Sequence, residues 1–181
     1  MKFQFNVNVN DQDYLDYNTF VAIRSPYGKK QILTNRITVA VIFLIFILIP
    51  LFSGDFSFES ILGVIIKVIV LCLVQIFLPR FFVLSFKHQI ENMKKSGKLA
   101  YSPESVIEFQ EESFVETTPE NITENKYSAI ERISVVDNKM IYIHVNSAMS
   151  YMLPFASFES EEQYNEFFDF IKTKCTNIDI Y

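Results

Sequence analysis

Two apolar blocks, residues 37–52 and 61–84, constrain the fold of this chain more than any other feature. The first contains no charged residue, and the second contains only Lys67 and Arg80. A helix needs about 20 mostly apolar residues to cross the hydrocarbon core of a bilayer. The second block meets this length, and the first meets it once it is extended back toward residue 32. The sequence therefore predicts a transmembrane hairpin over residues 37–84.

Lysine and arginine residues flank the predicted hairpin on both sides, and the loop between the two blocks has none. An excess of these residues marks the cytoplasmic side of a membrane protein. We therefore expect a multi-pass protein of the cytoplasmic membrane of the cell, with both termini in the cytoplasm and the loop outside. The flanking residues are Lys29, Lys30, Arg36, Lys87, Lys94, Lys95 and Lys98.

Three residues of the second block, Gly63, Lys67 and Gln75, form a candidate transmembrane interaction face. They fall within an arc of about 120° on a helix of 3.6 residues per turn. Lys67 is near enough to the outer end for its ammonium group to reach the headgroups, whereas Gln75 lies deeper and needs a protein partner. That partner is either the first block or a second copy of the chain. The face serves helix packing or, alternatively, transport or sensing.

The first ten residues alternate between apolar and polar side chains, which is typical of a half-buried strand. Phe3, Phe5, Val7 and Val9 make up the apolar face. Nothing nearby in the sequence covers this face, and a lone strand is unstable in water. We predict that residues 1–10 join the domain at the other end of the chain, because two spans return the chain to the same side of the membrane.

Residues 11–36 are predicted to form an amphipathic helix followed by a basic juxtamembrane segment. Asp11 and Asp13 supply capping oxygens and negative charge at the start of this helix. A break is expected at residues 25–28, which include Pro26 and Gly28. The helix could lie on the membrane surface or on the soluble domain.

Beyond the hairpin, residues 85–98 are predicted to form a basic juxtamembrane helix and residues 99–181 a small soluble domain. Ser160 and Gln163 have the spacing of a capping box at the start of a C-terminal helix with an aromatic stripe. The predicted fold class is α+β, a two-helix transmembrane hairpin plus a small β-sheet or barrel domain capped by this helix. Strands are predicted at residues 105–110, 114–118, 130–136, 140–145 and 149–155, with a hairpin turn at 137–138.

The C-terminal domain is acidic, since residues 101–181 contain fifteen acidic and five basic residues, a net charge of −10. Such a surface disfavours nucleic acid, and we expect the domain to bind no anionic lipid headgroup specifically. His88 and His144 have no second histidine or cysteine at the spacing of metal ligands, and Cys72 and Cys175 lie far apart. No metal, cofactor or catalytic residues are predicted.

The layout resembles that of YcxB-like membrane proteins. The features that carry the resemblance are the strand and acidic helix at the N-terminus, the two apolar blocks, and short segments at residues 24–30, 127–130, 140–143, 153–154 and 158. It implies a bacterial cytoplasmic-membrane protein whose C-terminal domain is similar to pleckstrin-homology folds, and it implies no established activity. Relatives are expected to carry a basic residue where this chain has Phe155, so a basic patch is not expected here.

These features together predict a membrane-anchored, non-enzymatic protein-interaction module, a scaffold or regulator that presents an acidic domain in the cytoplasm. Its expected partners are the lipid bilayer and either another protein or a second copy of the chain bound through the transmembrane helices. The alternative is a small oligomeric transporter, channel or sensor subunit that uses the polar face of the second block. An enzyme that acts through the acidic face is a third hypothesis.

Overall fold

The computed structural model describes residues 3–52, 54, 57–97, 99–146 and 149–181, without the side chains of residues 50 and 51. The chain divides into two compact units. The sheet unit comprises residues 1–14 and 99–181, and the helical unit comprises residues 15–98. Lys98, which the sequence analysis assigns to the basic flank, lies outside the described residues.

The first sheet has four antiparallel strands in the order β1-β2-β3-β4. Strand β1 pairs with β2 along its whole length, from Phe3 opposite Phe109 to Asn8 opposite Glu104. The N-terminal strand therefore pairs with β2, although the whole helical unit lies between the two strands in the sequence. The four strands are β1 (Phe3–Asn8), β2 (Glu104–Phe109), β3 (Ser113–Thr117) and β4 (Ile122–Lys126).

The second sheet has the order β7-β6-β5-β8. The turn of the β5–β6 hairpin contains Asp137 and Asn138, with φ angles of 52° and 50°. Aspartate and asparagine tolerate this left-handed geometry, as the hairpin prediction requires. Strand β8 returns to the sheet after the last helix and pairs in parallel with β5. The strands are β5 (Arg132–Val136), β6 (Met140–His144), β7 (Ser150–Pro154) and β8 (Ile178–Ile180).

The prediction of an α+β chain with two long apolar helices and a small β domain is confirmed, but the described strands form two separate sheets and no closed barrel. Strand β1 lies close to β7, but the two share no ladder. Neither β4 nor β8 is predicted from the sequence. Strand β4 is polar at four of its five positions and has no apolar face to mark it, and β8 has only three residues.

The last helix, α4 (Glu161–Lys174), begins as its capping residues predict. The N–H of Gln163 donates to Ser160 Oγ at 3.1 Å, and the Gln163 side-chain oxygen accepts from the N–H of Glu159 at 2.8 Å. Phe167 and Ile171 project from α4 into the core and are fully buried. The helix therefore covers the apolar face that β1 shares with the other strands. The ring of Phe167 packs against Phe3, Phe5, Phe109 and Phe158.

The helical unit is built around two long helices, α2 (Pro26–Phe52) and α3 (Phe58–Lys95). They follow α1 (Asp11–Thr19), whose first residues belong to the sheet unit, and a π-helical turn at Phe20–Arg24. The predicted break at residues 25–28 is shorter than expected. The chain becomes helical again at Pro26, since the missing N–H of proline costs nothing at the first helical position. The basic segments at both ends of the hairpin are continuous with the long helices.

A tight junction connects the π-helical turn to α2. Ser25 is buried, its hydroxyl donates to the carbonyl of Val21 at 2.6 Å, and it accepts from the N–H of Gly28 at 2.9 Å. A Cβ atom at position 28 would overlap the backbone of Val21 and Ala22. Glycine is therefore required at this position by close backbone approach rather than by a breaking turn.

Candidate functional site

The predicted face of the second apolar block lies on α3, and two of its three residues contact α2. Lys67 Nζ donates to the carbonyl oxygen of Phe46 at 3.2 Å. Gln75 Nε2 donates to the carbonyl oxygen of Arg36 at 2.9 Å. Both side chains are half-buried, and both bind main-chain oxygens of the neighbouring helix. Lys67 and Gln75 therefore make polar contacts at two separate points along the helix pair.

Gly63, the third residue of the predicted face, makes no close approach. A Cβ atom at this position would meet no heavy atom within 4 Å. Since small residues act in transmembrane packing by letting backbones come near each other, Gly63 has no such role between α2 and α3.

Arg36 is a residue of this site that sequence reasoning missed, because it stands among the basic flank of the first block. One of its guanidinium nitrogens donates to the carbonyl oxygen of Gln75 at 3.4 Å, while its own carbonyl accepts from the Gln75 amide. The two residues therefore form a reciprocal pair between helices that run in opposite directions. The sequence indicates this pair only through position. Arg36 and Gln75 lie about equally far in sequence from the loop that connects the two helices, and such residues face each other in a helical hairpin.

Most of the surface of α2 and α3 is apolar and exposed. Residues 26–49 and 58–95 are each long and apolar enough to cross a membrane by length and composition. A half-buried stripe on each helix faces the other helix, and the remaining side chains point outward. Such a surface far exceeds the isolated apolar patches of ordinary soluble proteins. The outward side chains include Ile45, Phe46, Ile49, Ile65, Ile69, Leu73 and Ile76, which are about half exposed or more.

In the sheet unit, His144 is buried between two serine hydroxyls. Its Nδ1 lies 2.8 Å from Ser150 Oγ, and its Nε2 lies 3.2 Å from Ser134 Oγ. A neutral imidazole donates from one nitrogen and accepts at the other, and a serine hydroxyl can complement either. Burial, together with the positive charge of Arg132, lowers the pKa of His144 from 6.5 to about 4. The residue is therefore a neutral structural histidine at physiological pH, as its isolation in the sequence favours.

Glu116 of β3 is a second inward-facing titratable group, although acidic residues on strands are usually exposed. Strand register places it opposite Ile107, which in turn lies opposite Phe5, so all three side chains share the inner face of the first sheet. The Tyr151 hydroxyl, which interacts electrostatically with Glu116, accepts a hydrogen bond from the Asn125 amide at 2.7 Å. Burial raises the pKa of Glu116 above its ordinary value, although a hydrogen bond with Ser105 opposes this.

In the part of the chain that the structure describes, no three His, Cys, Asp or Glu side chains come together as potential metal ligands. Cys72 is exposed on α3, and Cys175 is buried beside the core of the sheet unit. The candidate site is therefore the polar pairing between α2 and α3.

Residues 109–171 match the family model described as YcxB-like protein. Over these residues the chain is similar to the YcxB-like family. The match extends from the end of β2 into α4, so it covers about a third of the chain and lies within the sheet unit. It includes the segments at residues 127–130, 140–143 and 153–154 on which the resemblance rests. No significant match was found among the curated proteins or among the solved structures.

The sheet unit presents an acidic surface in which two basic side chains are engaged by its own residues. Lys172 lies 3.2 Å from the carboxylate of Asp169 and over the ring of Phe168. Lys174 donates to the carbonyl oxygen of Glu111 at 2.7 Å and lies near the ring of Tyr127. Exposed carboxylates outnumber the basic groups that could neutralise them. They include Glu104, Glu111, Glu112, Glu120, Glu124, Glu161, Glu162 and Glu166.

Replacing Glu116 by glutamine is expected to stabilise the sheet unit at neutral pH. A carboxyl whose pKa is raised by folding supports the folded state fully below its unfolded pKa and loses that support as pH rises through the folded pKa. The variant should therefore gain stability above pH 4.5 and match the native chain in acid. Thermal unfolding of both proteins at pH 4 and pH 7.5 measures this, with Glu104→Gln as an exposed control. An equal gain at both pH values would contradict the titration.

Proposed function

We propose that this chain is a membrane-anchored, non-enzymatic protein-interaction module. The observation that carries the proposal is the outward apolar surface of α2 and α3, which a bilayer would cover. The apolar part of α3, residues 61–84, has a length of about 36 Å as a helix, enough for a hydrocarbon core of about 30 Å. The sheet unit would then be the part that binds a partner.

The hairpin is proposed to place both termini in the cytoplasm. Apart from Lys67, the basic side chains of α2 and α3 lie in the halves of these helices that are remote from the connecting loop, which supports this orientation. A cysteine introduced at Ser57, in a chain without Cys72 and Cys175, should react with a membrane-impermeant reagent added to intact cells. Labelling only after the cells are opened would reverse the topology.

The partner is proposed to be a protein with a basic surface, since opposite charge steers association and selects partners. The net charge of −10 over residues 101–181 opposes binding to nucleic acid and to the negatively charged face of a membrane. The engagement of Lys172 and Lys174 within the unit supports this proposal, because it leaves few cations to contact phosphates. Alternatively, the partner is a second copy of the chain, bound through α2 and α3.

Purification from membranes in a mild detergent tests the interaction. Cross-linking in cells before extraction should trap a partner at a fixed stoichiometry. Replacing Glu161, Glu162 and Glu166 on the exposed face of α4 by glutamine should weaken the association and reduce its dependence on salt. Asn165→Ser on the same face is the neutral control. A chain that runs alone at every protein and salt concentration would contradict the proposal.

A small transporter, channel or sensor subunit is the second candidate, favoured by the presence of Lys67 and Gln75 within an apolar helix. It predicts solute or ion flux in reconstituted liposomes that Gln75→Leu abolishes. The engagement of both side chains by main-chain oxygens of α2 supports packing instead. Flux that survives Gln75→Leu would remove the specific reason for this candidate.

A further inference from the structure

We propose that Lys67 and Arg36 are present in the hairpin because Pro50 and Pro79 each leave one backbone carbonyl without its helical donor. On this view the two basic side chains are positioning residues that replace missing N–H groups across the helix pair. The inference goes beyond the proposed interaction function but rests on its placement of α2 and α3 in a membrane.

The first pair joins α3 to α2 near the connecting loop. In an α-helix the carbonyl of residue i accepts from the N–H of residue i+4, and proline has no N–H. Pro50 lies four residues after Phe46 within α2, so the carbonyl of Phe46 lacks its regular i+4 N–H donor. It is this oxygen that accepts from Lys67 Nζ at 3.2 Å.

The second pair joins α2 to α3 toward the opposite end of the hairpin. Pro79 lies four residues after Gln75 within α3, so the carbonyl of Gln75 lacks its helical donor in the same way. The guanidinium group of Arg36 donates to this oxygen at 3.4 Å. The amide of Gln75 donates back to the carbonyl of Arg36 at 2.9 Å and fixes the same contact from the other side.

Both interhelical cation–carbonyl contacts fall on a residue that lies four positions before a proline. Helices α2 and α3 have 27 and 38 residues, and nearly all their carbonyls accept from their own helix. Among the described residues, the two cations that donate a hydrogen bond to the other helix are Lys67 and Arg36. Each donates to a carbonyl whose regular helical donor position is occupied by proline. In hydrocarbon an unsatisfied carbonyl is costly, and prolines are tolerated in spans where neighbouring groups satisfy it. Each helix therefore supplies the donor that the other lacks.

A double-mutant cycle in the full-length chain, reconstituted in liposomes, separates this role from simple snorkelling of Lys67 to the headgroups. The register that joins 36 to 75 and 46 to 67 places Ala40 opposite Leu71, and both are half-buried. Cysteines at these two positions, in a chain carrying Cys72→Ser and Cys175→Ala, should form a disulfide whose rate reports how well the helices are paired.

Lys67→Met should slow disulfide formation between about threefold and twentyfold, the range expected from measured hydrogen bonds between transmembrane helices. In a Pro50→Ala background, alanine restores the missing N–H, and the same substitution should change the rate less than about twofold. Lys67→Arg should behave like the native residue, and Arg80→Met is the control for loss of a positive charge. Arg36→Met is expected to show the same dependence on Pro79→Ala.

Equal effects of Lys67→Met with proline and with alanine at position 50 would overturn the proposal, as would no effect in either background. Extraction with alkaline carbonate tests the membrane placement separately. If the native chain is released from membranes by carbonate, the proposed anchor itself is wrong. If the chain stays integral but the two backgrounds respond alike, only the proline pairing fails.

Discussion

Replacing Phe5 by aspartate is expected to unfold the sheet unit while leaving the proposed membrane insertion of the two long helices intact. Phe5 is only 1% exposed and lies at the centre of the core. Truncating a buried phenylalanine costs about 3–5 kcal/mol, and burying a carboxylate adds to this. Small domains are stable by only about 5–15 kcal/mol, so the substitution removes most of that margin. The rings around Phe5 belong to Phe109, Phe158 and Phe167.

Limited proteolysis of membranes from cells measures the effect, since an unfolded sheet unit is cut quickly. Asn6→Asp is the matched control, because Asn6 is the next residue of β1, is exposed, and lies opposite Val106 rather than an acidic residue. Both variants carry one added negative charge, and neither changes the helical unit. If Phe5→Asp resists protease as well as Asn6→Asp does, β1 contributes little to the fold.

The N-terminal strand shows why part of this fold can be predicted from the sequence. Strict alternation placed Phe3, Phe5, Val7 and Val9 on one face, and all four are buried in the structure. An apolar face that nothing local can cover must find a distant partner, and the even number of apolar blocks limited where that partner could lie. The partner strand itself, β2, follows from the sheet topology rather than from any pattern in residues 1–10.

The elements that sequence reasoning missed carry weak local signals. Strand β4 is defined by its ladder to β3, and its side chains are largely exposed, so no periodicity reveals it. Glu116 looks like one more surface acid until strand register turns it toward Ile107. An acidic residue on an otherwise apolar face breaks the alternation by which strands are predicted. Only the pairing of β3 with β2 shows which way the Glu116 side chain points.

The hairpin illustrates the same limit for the candidate site. Composition identified Lys67 and Gln75 as the polar residues of an apolar helix, and helical geometry placed them on one side. It could not decide whether that side faces α2, because the choice depends on the register between two helices. The partner atoms are main-chain carbonyls, which leave no trace in the sequence except through the positions of Pro50 and Pro79.

Joining residues 1–14 directly to residues 99–181 should yield a folded domain, whereas residues 99–181 alone should not fold stably. The two ends to be joined already lie together in the sheet unit. The rings of Tyr14 and Tyr101 are 4.9 Å apart, and the Tyr101 hydroxyl donates to Asp11 at 2.6 Å. The N–H of Val9 also donates to the carbonyl of Pro103 at 2.9 Å. A flexible linker of about five residues can therefore replace the helical unit.

The expected difference between the two proteins is large because β1 contributes a whole strand to the core. Burial of one aliphatic or aromatic side chain is worth roughly 1.5–3 kcal/mol, and β1 with the residue after it buries four. Without it, β2 becomes an edge strand with an exposed apolar face, which favours aggregation. Cooperative thermal unfolding and resistance to protease should appear in the joined protein and be absent from residues 99–181. If residues 99–181 alone unfold as cooperatively as the joined protein, the helical unit is not an insertion into a single domain.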